Sequence, residues 1–208
     1  MLDNLKNYHL ILASNSPRRR ELLGGLGIEF EVRVMPGIDE SYPSMPASDV
    51  AGFIAEKKAQ AYLPNLRDDE LLITADTVVI VDGEILGKPV DAADAQRMLR
   101  LLSGRTHQVI TGVCIATNRD ARYSRDSRES RESGDSKVSF SVSTDVTFKP
   151  LSEEEIDYYI THYRPFDKAG AYGIQEWIGY IGVTGLRGSY FNVMGLPVQR
   201  IYQELTKF

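Results

Sequence analysis

Two hydrophobic periods take turns along this chain, one of strands and one of helices. The run Leu10-Ile11-Leu12-Ala13 reads as a buried strand. In the next segment, Ser14-Asn15-Ser16-Pro17-Arg18-Arg19-Arg20, Ser16 suits an N-cap and Pro17 the first helical position, so a helix is expected to a stop at Gly24-Gly25. Residues 29–34 alternate like a half-buried strand, and residues 35–40 leave it as a loop carrying Asp39 and Glu40. A helix capped by Ser48 is expected past Lys57 and Lys58 to Tyr62, with Pro64 ending it. Residues 71–81 are the most apolar stretch and too β-branched for a helix, so they read as a central strand. Asp82-Gly83 is a hairpin turn signal returning through Glu84-Ile85-Leu86 to Gly87-Lys88-Pro89.

The second half continues the pattern. Asp91 caps a helix carrying Met98, Leu99 and Leu102, closed at Ser103-Gly104, and residues 106–116 read as a second central strand. Residues 138–148 alternate as its returning partner, and Ser152 with Glu155 has the spacing of a capping box. That helix places Ile156, Tyr159 and Ile160 on one face and is broken by Pro165. Residues 180–183 read as a short strand, 188–193 as a loop, and Gly195-Leu196-Pro197 as the start of an amphipathic helix through Ile201 and Leu205. Between the two long strands, residues 118–137 are a near-repeat of serine, arginine and acid without apolar anchors; they are expected to form a flexible, charged hairpin insertion.

Composition excludes several classes. At 208 residues the chain is long enough to bury a real core, and 42% hydrophobic with 25% charged residues is ordinary for a soluble globular protein. A net charge of −5 argues against a nucleic-acid partner, which would call for a basic face. The single cysteine, Cys114, excludes a disulfide framework and a thiolate metal site and points to a reducing compartment. His9, His107 and His162 offer no pair with metal-ligand spacing, and His107 reads as a structural residue at a strand end. No run approaches the roughly 18 apolar residues of a membrane span, and no leader pattern opens the chain, so a cytoplasmic protein with no membrane partner is expected.

Against this background three polar features stand out. Three arginines in the first turn of a helix sit at the positive end of its dipole, where an anion belongs; a phosphate site and a capped surface helix with solvated arginines both remain open. Asp76 lies in the middle of the most apolar strand, so it either binds a cation, has a shifted pKa, or is a structural aspartate bonded to backbone N–H groups. Residues 167–175 hold several small residues, a composition suited to close approach by a ligand or simply to an irregular connector. Gly87-Lys88-Pro89 is not a Walker loop, because Pro89 replaces the hydroxyl that would hold magnesium; Lys88 remains a cation at a strand mouth. Arg18, Arg19, Lys58 and Lys88 with Asp39, Glu40 and Asp76 are the kit that phosphoryl chemistry needs.

At these residues the sequence resembles the Maf family of nucleoside triphosphate pyrophosphatases. The resemblance rests on residues 12–19, Asp39-Glu40, Lys58-Ala59, residues 75–79, Gly87-Lys88-Pro89, Leu102-Ser103-Gly104 with His107, Thr111-Gly112, residues 168–175 and Gly195-Leu196-Pro197, all in the family's order and covering nearly the whole chain. It implies a single α/β catalytic domain over 1–208, an elongated mixed β-sheet flanked by helices, with two lobes and a central cleft as in inosine triphosphatase-like folds. It also implies metal-dependent hydrolysis of the α–β phosphoanhydride of a nucleoside triphosphate, with Mg²⁺ or Mn²⁺ as cofactor. Carried over by position, Asp76 resembles the general base, Glu40 and Asp76 the metal-side carboxylates, and Ser14, Arg19, Lys58 and Lys88 the phosphate-binding residues. Arg18, Thr77 and Gln175 are similar to the residues that mark the branch acting on dTTP and UTP, and the chain departs from the 7-methyl-GTP branch at the first two. The family's reputation for effects on septum formation keeps open a nucleotide-binding regulator of cell division, and a homodimer stays open as the assembly.

Overall fold

The computed structural model describes residues 2–118 and 137–208, so nearly all of the charged insertion expected at 118–137 lies outside the described residues. In chain order the strands are β1 (His9–Leu12), β2 (Glu31–Val32), β3 (Glu70–Val81), β4 (Glu84–Leu86), β5 (Thr106–Thr117), β6 (Lys137–Phe148) and β7 (Val183–Arg187). The helices are α1 (Pro17–Gly24), α2 (Ala47–Tyr62), α3 (Ala92–Leu102), α4 (Glu153–Tyr163), α5 (Trp177–Gly182), α6 (Tyr190–Met194) and α7 (Val198–Leu205). The strands form one seven-stranded mixed sheet in the order β2-β1-β3-β5-β6-β7, with β4 also paired to β3. β1 runs parallel to β2 and β3, and the remaining pairs are antiparallel.

The register of β3 decides where a cleft can form. One edge pairs continuously with β5, from Leu71 opposite Thr117 to Ile80 opposite Gln108. The other edge carries β1 along residues 70–73 and β4 along residues 79–81. Residues 74–78 therefore have no strand on that edge among the described residues. Ten of the twelve residues of β3 are buried, and the two that are not, Asp76 and Thr77, lie in this gap.

Apolar residues collect on either side of the gap. Leu12, Leu71, Ile73, Val113, Ile115 and Leu205 belong to one core, and Val79, Leu86, Leu99, Phe148, Ile156 and Tyr159 to another. A third group, Ile11, Ala55, Leu72 and Cys114, packs under α2. Because side chains alternate along a strand, Leu72, Thr74, Asp76 and Val78 face α2, whereas Ile73, Ala75, Thr77 and Val79 face the opposite layer. α2 lies very close to the sheet: a Cβ at Gly112, the residue paired with Asp76, would come within 2.3 Å of the Ala51 carbonyl carbon. The Thr74 hydroxyl pins the same helix by donating to the Ala55 carbonyl at 2.6 Å.

Four local expectations change. Helix α2 starts at Ala47 after Pro46, whose carbonyl accepts from Asp49; Ser48 lies within the first turn and bonds to the Asp49 carboxylate instead of capping. The strand at residues 29–34 shrinks to Glu31–Val32, where β1 ends and leaves nothing further to pair with. Residues 180–182 belong to helix α5, and pairing with β6 begins only at Val183; so short an apolar run has no periodicity with which to choose. Residues 190–194 are a helix whose N-cap, Ser189, accepts from the Asn192 amide. The expected turn at Asp82-Gly83 is present, with φ of 50° and 82°, as are the caps at Ser16 and Asp91 and the capping box of α4.

Candidate active site

A cleft of about 910 Å³ opens at the gap in β3 and is lined by residues from the β1–α1 loop, the loop before α2, α2 itself, β3, the β4–α3 turn and residues 167–175. It receives Ser14, Arg18, Arg19, Glu40, Lys58, Asp76, Thr77, Lys88 and Gln175, so all but one of the residues expected of the site line one space. Asp39 does not. It is exposed and bonded to Lys57 and Ser41, and these hydrogen bonds hold its carboxyl well below the ordinary range.

The α2 face of the cleft is a charged triad. Lys58 Nζ lies 2.8 Å from Asp76 Oδ1 and 3.0 Å from Glu40 Oε1, with the Asp76 and Lys58 side chains 15% and 14% exposed and Glu40 at 55%. Helix α2 fixes this geometry: the Ala55 carbonyl is tied to Thr74, and Lys58 is one turn further along the same face. The strand aspartate is thus an ion-paired carboxylate at a solvent-reaching gap, not an unpaired charge in a core. Among the described residues no group of three or more His, Cys, Asp or Glu could cage a metal. A hard cation such as Mg²⁺ takes one or two carboxylates together with phosphate oxygens, so Glu40 and Asp76 fit a cation that arrives with a polyphosphate.

The opposite face is a wall of bonded polar groups. Arg19 donates from Nε to the Gly195 carbonyl at 2.8 Å, from Nη1 to the Ala75 carbonyl at 2.8 Å and from Nη2 to the Thr77 hydroxyl at 3.0 Å. The Ala75 carbonyl is thereby satisfied at the edge that lacks a strand. Burial pushes the Arg19 guanidinium below its ordinary pKa, opposed by the charge of Asp76. Two of its five N–H groups have no part in these bonds. The Thr111 hydroxyl donates to the Asn192 carbonyl at 3.1 Å and lies 2.9 Å from the Thr77 hydroxyl, so Thr77 donates to Thr111 while it accepts from Arg19. Arg18 reaches across the cleft to Asp167, with Nη1 3.0 Å from Oδ2. Burial raises the Asp167 pKa, but the hydrogen bonds from Lys168 and Arg18 outweigh it and leave the carboxyl below its ordinary value.

Ser14 is buried, and its hydroxyl accepts from the Ser16 amide at 3.2 Å, a short turn that shapes the loop before α1. Lys88 is exposed at the rim. The Gln175 Oε1 atom is buried without a partner at the cleft wall, the state expected of a group that meets a ligand. His107 is structural: it is buried, shares a 2.7 Å hydrogen bond with Tyr172, and burial lowers its pKa to about 4. Sequence reasoning assigns no role to Asp167, Lys168, Glu176, Thr111 or Asn192. Their signals are a polar residue type within an otherwise apolar or small-residue stretch and, for Thr111 and Lys168, a place in the motifs that carry the resemblance.

Comparison with known proteins gives matches along the whole chain. Residues 9–208 match the family model described as Maf-like protein. The chain is 57% identical to the dTTP/UTP pyrophosphatase of Phocaeicola vulgatus and 54% identical to that of Parabacteroides distasonis, with 100% of each chain covered in both cases. Among solved structures, a HAM1 protein from Coxiella burnetii is similar over 97% of this chain and 100% of its own, at 14% identity and a TM-score of 0.48.

Proposed function

The chain belongs to the Maf family, and from that premise we propose that it is a nucleoside triphosphate pyrophosphatase hydrolysing dTTP and UTP to the nucleoside monophosphate and pyrophosphate. One observation carries the reading of the site: Asp76, the acid of the central strand, stands at the strand gap within an ion pair to Lys58 and opposite the arginine wall. In the proposed reaction a water oxygen attacks the α-phosphorus and gives its proton to the Asp76 carboxylate. The bond from that phosphorus to the α–β bridging oxygen breaks, and pyrophosphate leaves with the electron pair.

Lys58 orients the Asp76 carboxylate for this proton by donating a hydrogen bond to its Oδ1 at 2.8 Å. Lys58 and Lys88 offer ammonium groups to the phosphate oxygens, and Ser14 and the two remaining N–H groups of Arg19 serve the same charge from the loop side. Glu40 and Asp76 are the residues that would hold Mg²⁺ or Mn²⁺, which when bound neutralises charge on the phosphate chain. Arg18, Thr77 and Gln175 are assigned to base selection. A glutamine amide carries both the donor and the acceptor that match a uracil-type edge, and its free Oε1 supports this role. The proposal extends to the cytoplasm, supported by the lone buried thiol of Cys114; among the described residues no helix is long and apolar enough to cross a membrane.

The test is a panel of nucleoside triphosphates incubated with the purified chain and Mg²⁺ or Mn²⁺, with pyrophosphate release measured. Turnover of UTP and dTTP well above ATP, GTP and 7-methyl-GTP is expected; absence of turnover with UTP and dTTP overturns the assignment.

A further inference from the structure

The recognition wall contains a chain of polar groups that phosphate chemistry does not require. Lys168 is only 8% exposed, and its ammonium lies 2.7 Å from Asp167 Oδ1 and 3.1 Å from Glu176 Oε1. A buried ammonium is costly unless paired, so its two carboxylates are obligatory partners and are held in turn. The second Asp167 oxygen accepts from Arg18. The second Glu176 oxygen accepts from the Tyr159 hydroxyl, which itself accepts from the Gly173 amide at 2.9 Å. Gly173 also leaves room for the side chains beside it: a Cβ there would stand 3.0 Å from the Glu176 carboxyl carbon and 3.2 Å from both amide atoms of Gln175. The chain of groups therefore starts at Arg18 on α1 and ends against the Gln175 amide, whose Oε1 is buried and unpartnered.

We infer that Asp167 and Lys168 are positioning residues for base selection, setting Arg18 and, through Glu176, Tyr159 and Gly173, the Gln175 amide at a spacing that admits a uracil-type ring and refuses a purine. The inference rests on the proposed UTP and dTTP hydrolysis and deepens it. The Arg18–Asp167 contact is a rim ion pair, with Asp167 58% exposed, and such a pair alone is worth little. Buried Lys168 turns it into a fixed arm, because it denies Asp167 the freedom to follow Arg18 into solvent.

The experiment compares kcat/KM for UTP and for GTP in the full chain carrying Asp167→Asn, which keeps shape and removes charge. The UTP-to-GTP ratio is expected to fall about tenfold, chiefly through a higher KM for UTP, with partial rescue by Asp167→Glu. Glu176→Gln is expected to act in the same direction, and the double variant to lose no more than the worse single one, since both interrupt the same chain of groups. Equal losses for UTP and GTP, or an unchanged ratio, overturn the inference. If Asp167→Asn does not fold by thermal melting, Tyr159→Phe, which removes one hydroxyl, carries the same test. Should the wild-type chain turn over no nucleotide, the functional reading fails separately. The ratio of Kd for UTP and GTP, measured by calorimetry in the same variants, then decides the inference.

Discussion

Asp76 and Thr77 are neighbours on one strand and open onto two different kinds of surface. Asp76 faces α2, where three charges meet with few other partners: one ammonium shared by two carboxylates, with half of the Glu40 side chain in solvent. Thr77 faces a wall in which its hydroxyl both donates and accepts and in which Arg19 is bonded three times to the fold. The difference is instructive. The charged face keeps valences free for a ligand, whereas the wall is held by the fold and offers a ligand the two remaining Arg19 N–H groups and the Gln175 Oε1, in a geometry that cannot relax to suit the wrong base.

The comparison breaks most visibly at Asp76. Asp76→Asn is expected to lower kcat by about three orders of magnitude, roughly 4 kcal/mol in the barrier, while the melting temperature holds and nucleotide still binds. Pyrophosphate release at the wild-type rate would remove Asp76 from the chemistry. Gly112→Ala attacks the packing beneath the same face. Its methyl group would sit 2.3 Å from the Ala51 carbonyl carbon, and a stability loss of about 3 kcal/mol or more is expected in urea unfolding. A near-neutral result would mean that α2 is free to lift.

The opposite layer is sharpened by pH. His107 has a folded pKa of about 4 against about 6.5 unfolded, so the unfolded chain binds the extra proton between these values. Stability from this group is fully present above about pH 6.5 and is lost as pH falls toward 4, by about 3 kcal/mol in all. A His107→Gln variant should show a flatter dependence of melting temperature on pH over that window; an unchanged slope would place the titration elsewhere. The smallest effect is expected at Thr77→Val, which strips Arg19 Nη2 and Thr111 of a partner and should cost about 2 kcal/mol. No cost would show that the wall is less tightly bonded than its distances imply.

Much of the scaffold is legible in local chemistry. Ser16, Asp91 and the Ser152/Glu155 pair cap helices because a side-chain oxygen can reach an amide two or three residues on, whatever the rest of the chain does. The long apolar runs at β3 and β5 are central strands because burial on both faces leaves no other use for them. Residues 180–194 defeat local reasoning because short segments take their state from packing: α5 and α6 are six and five residues long, too short for propensity to outweigh their contacts. Among site residues, those with an anomalous type in an apolar or dipolar context can be found one by one. Lys168 and Glu176 cannot, since their meaning lies in an ion pair that only the folding of residues 168–176 brings together.

The sequence by itself determined the inventory: which residues carry charge, where the long strands and most capped helices begin, and that an acid stands in the middle of the most apolar strand. These properties arise from interactions spanning a few residues. Only the tertiary structure decided that β1 and β4 stop short of each other along one edge of β3, so that residues 74–78 open into a cleft. Only it decided that Lys58 takes Asp76 and Glu40 while Lys57, one residue earlier, takes Asp39. The physical reason is that register and helix azimuth are set by long-range packing, here by the Gly112 contact with α2, and no local rule contains that information.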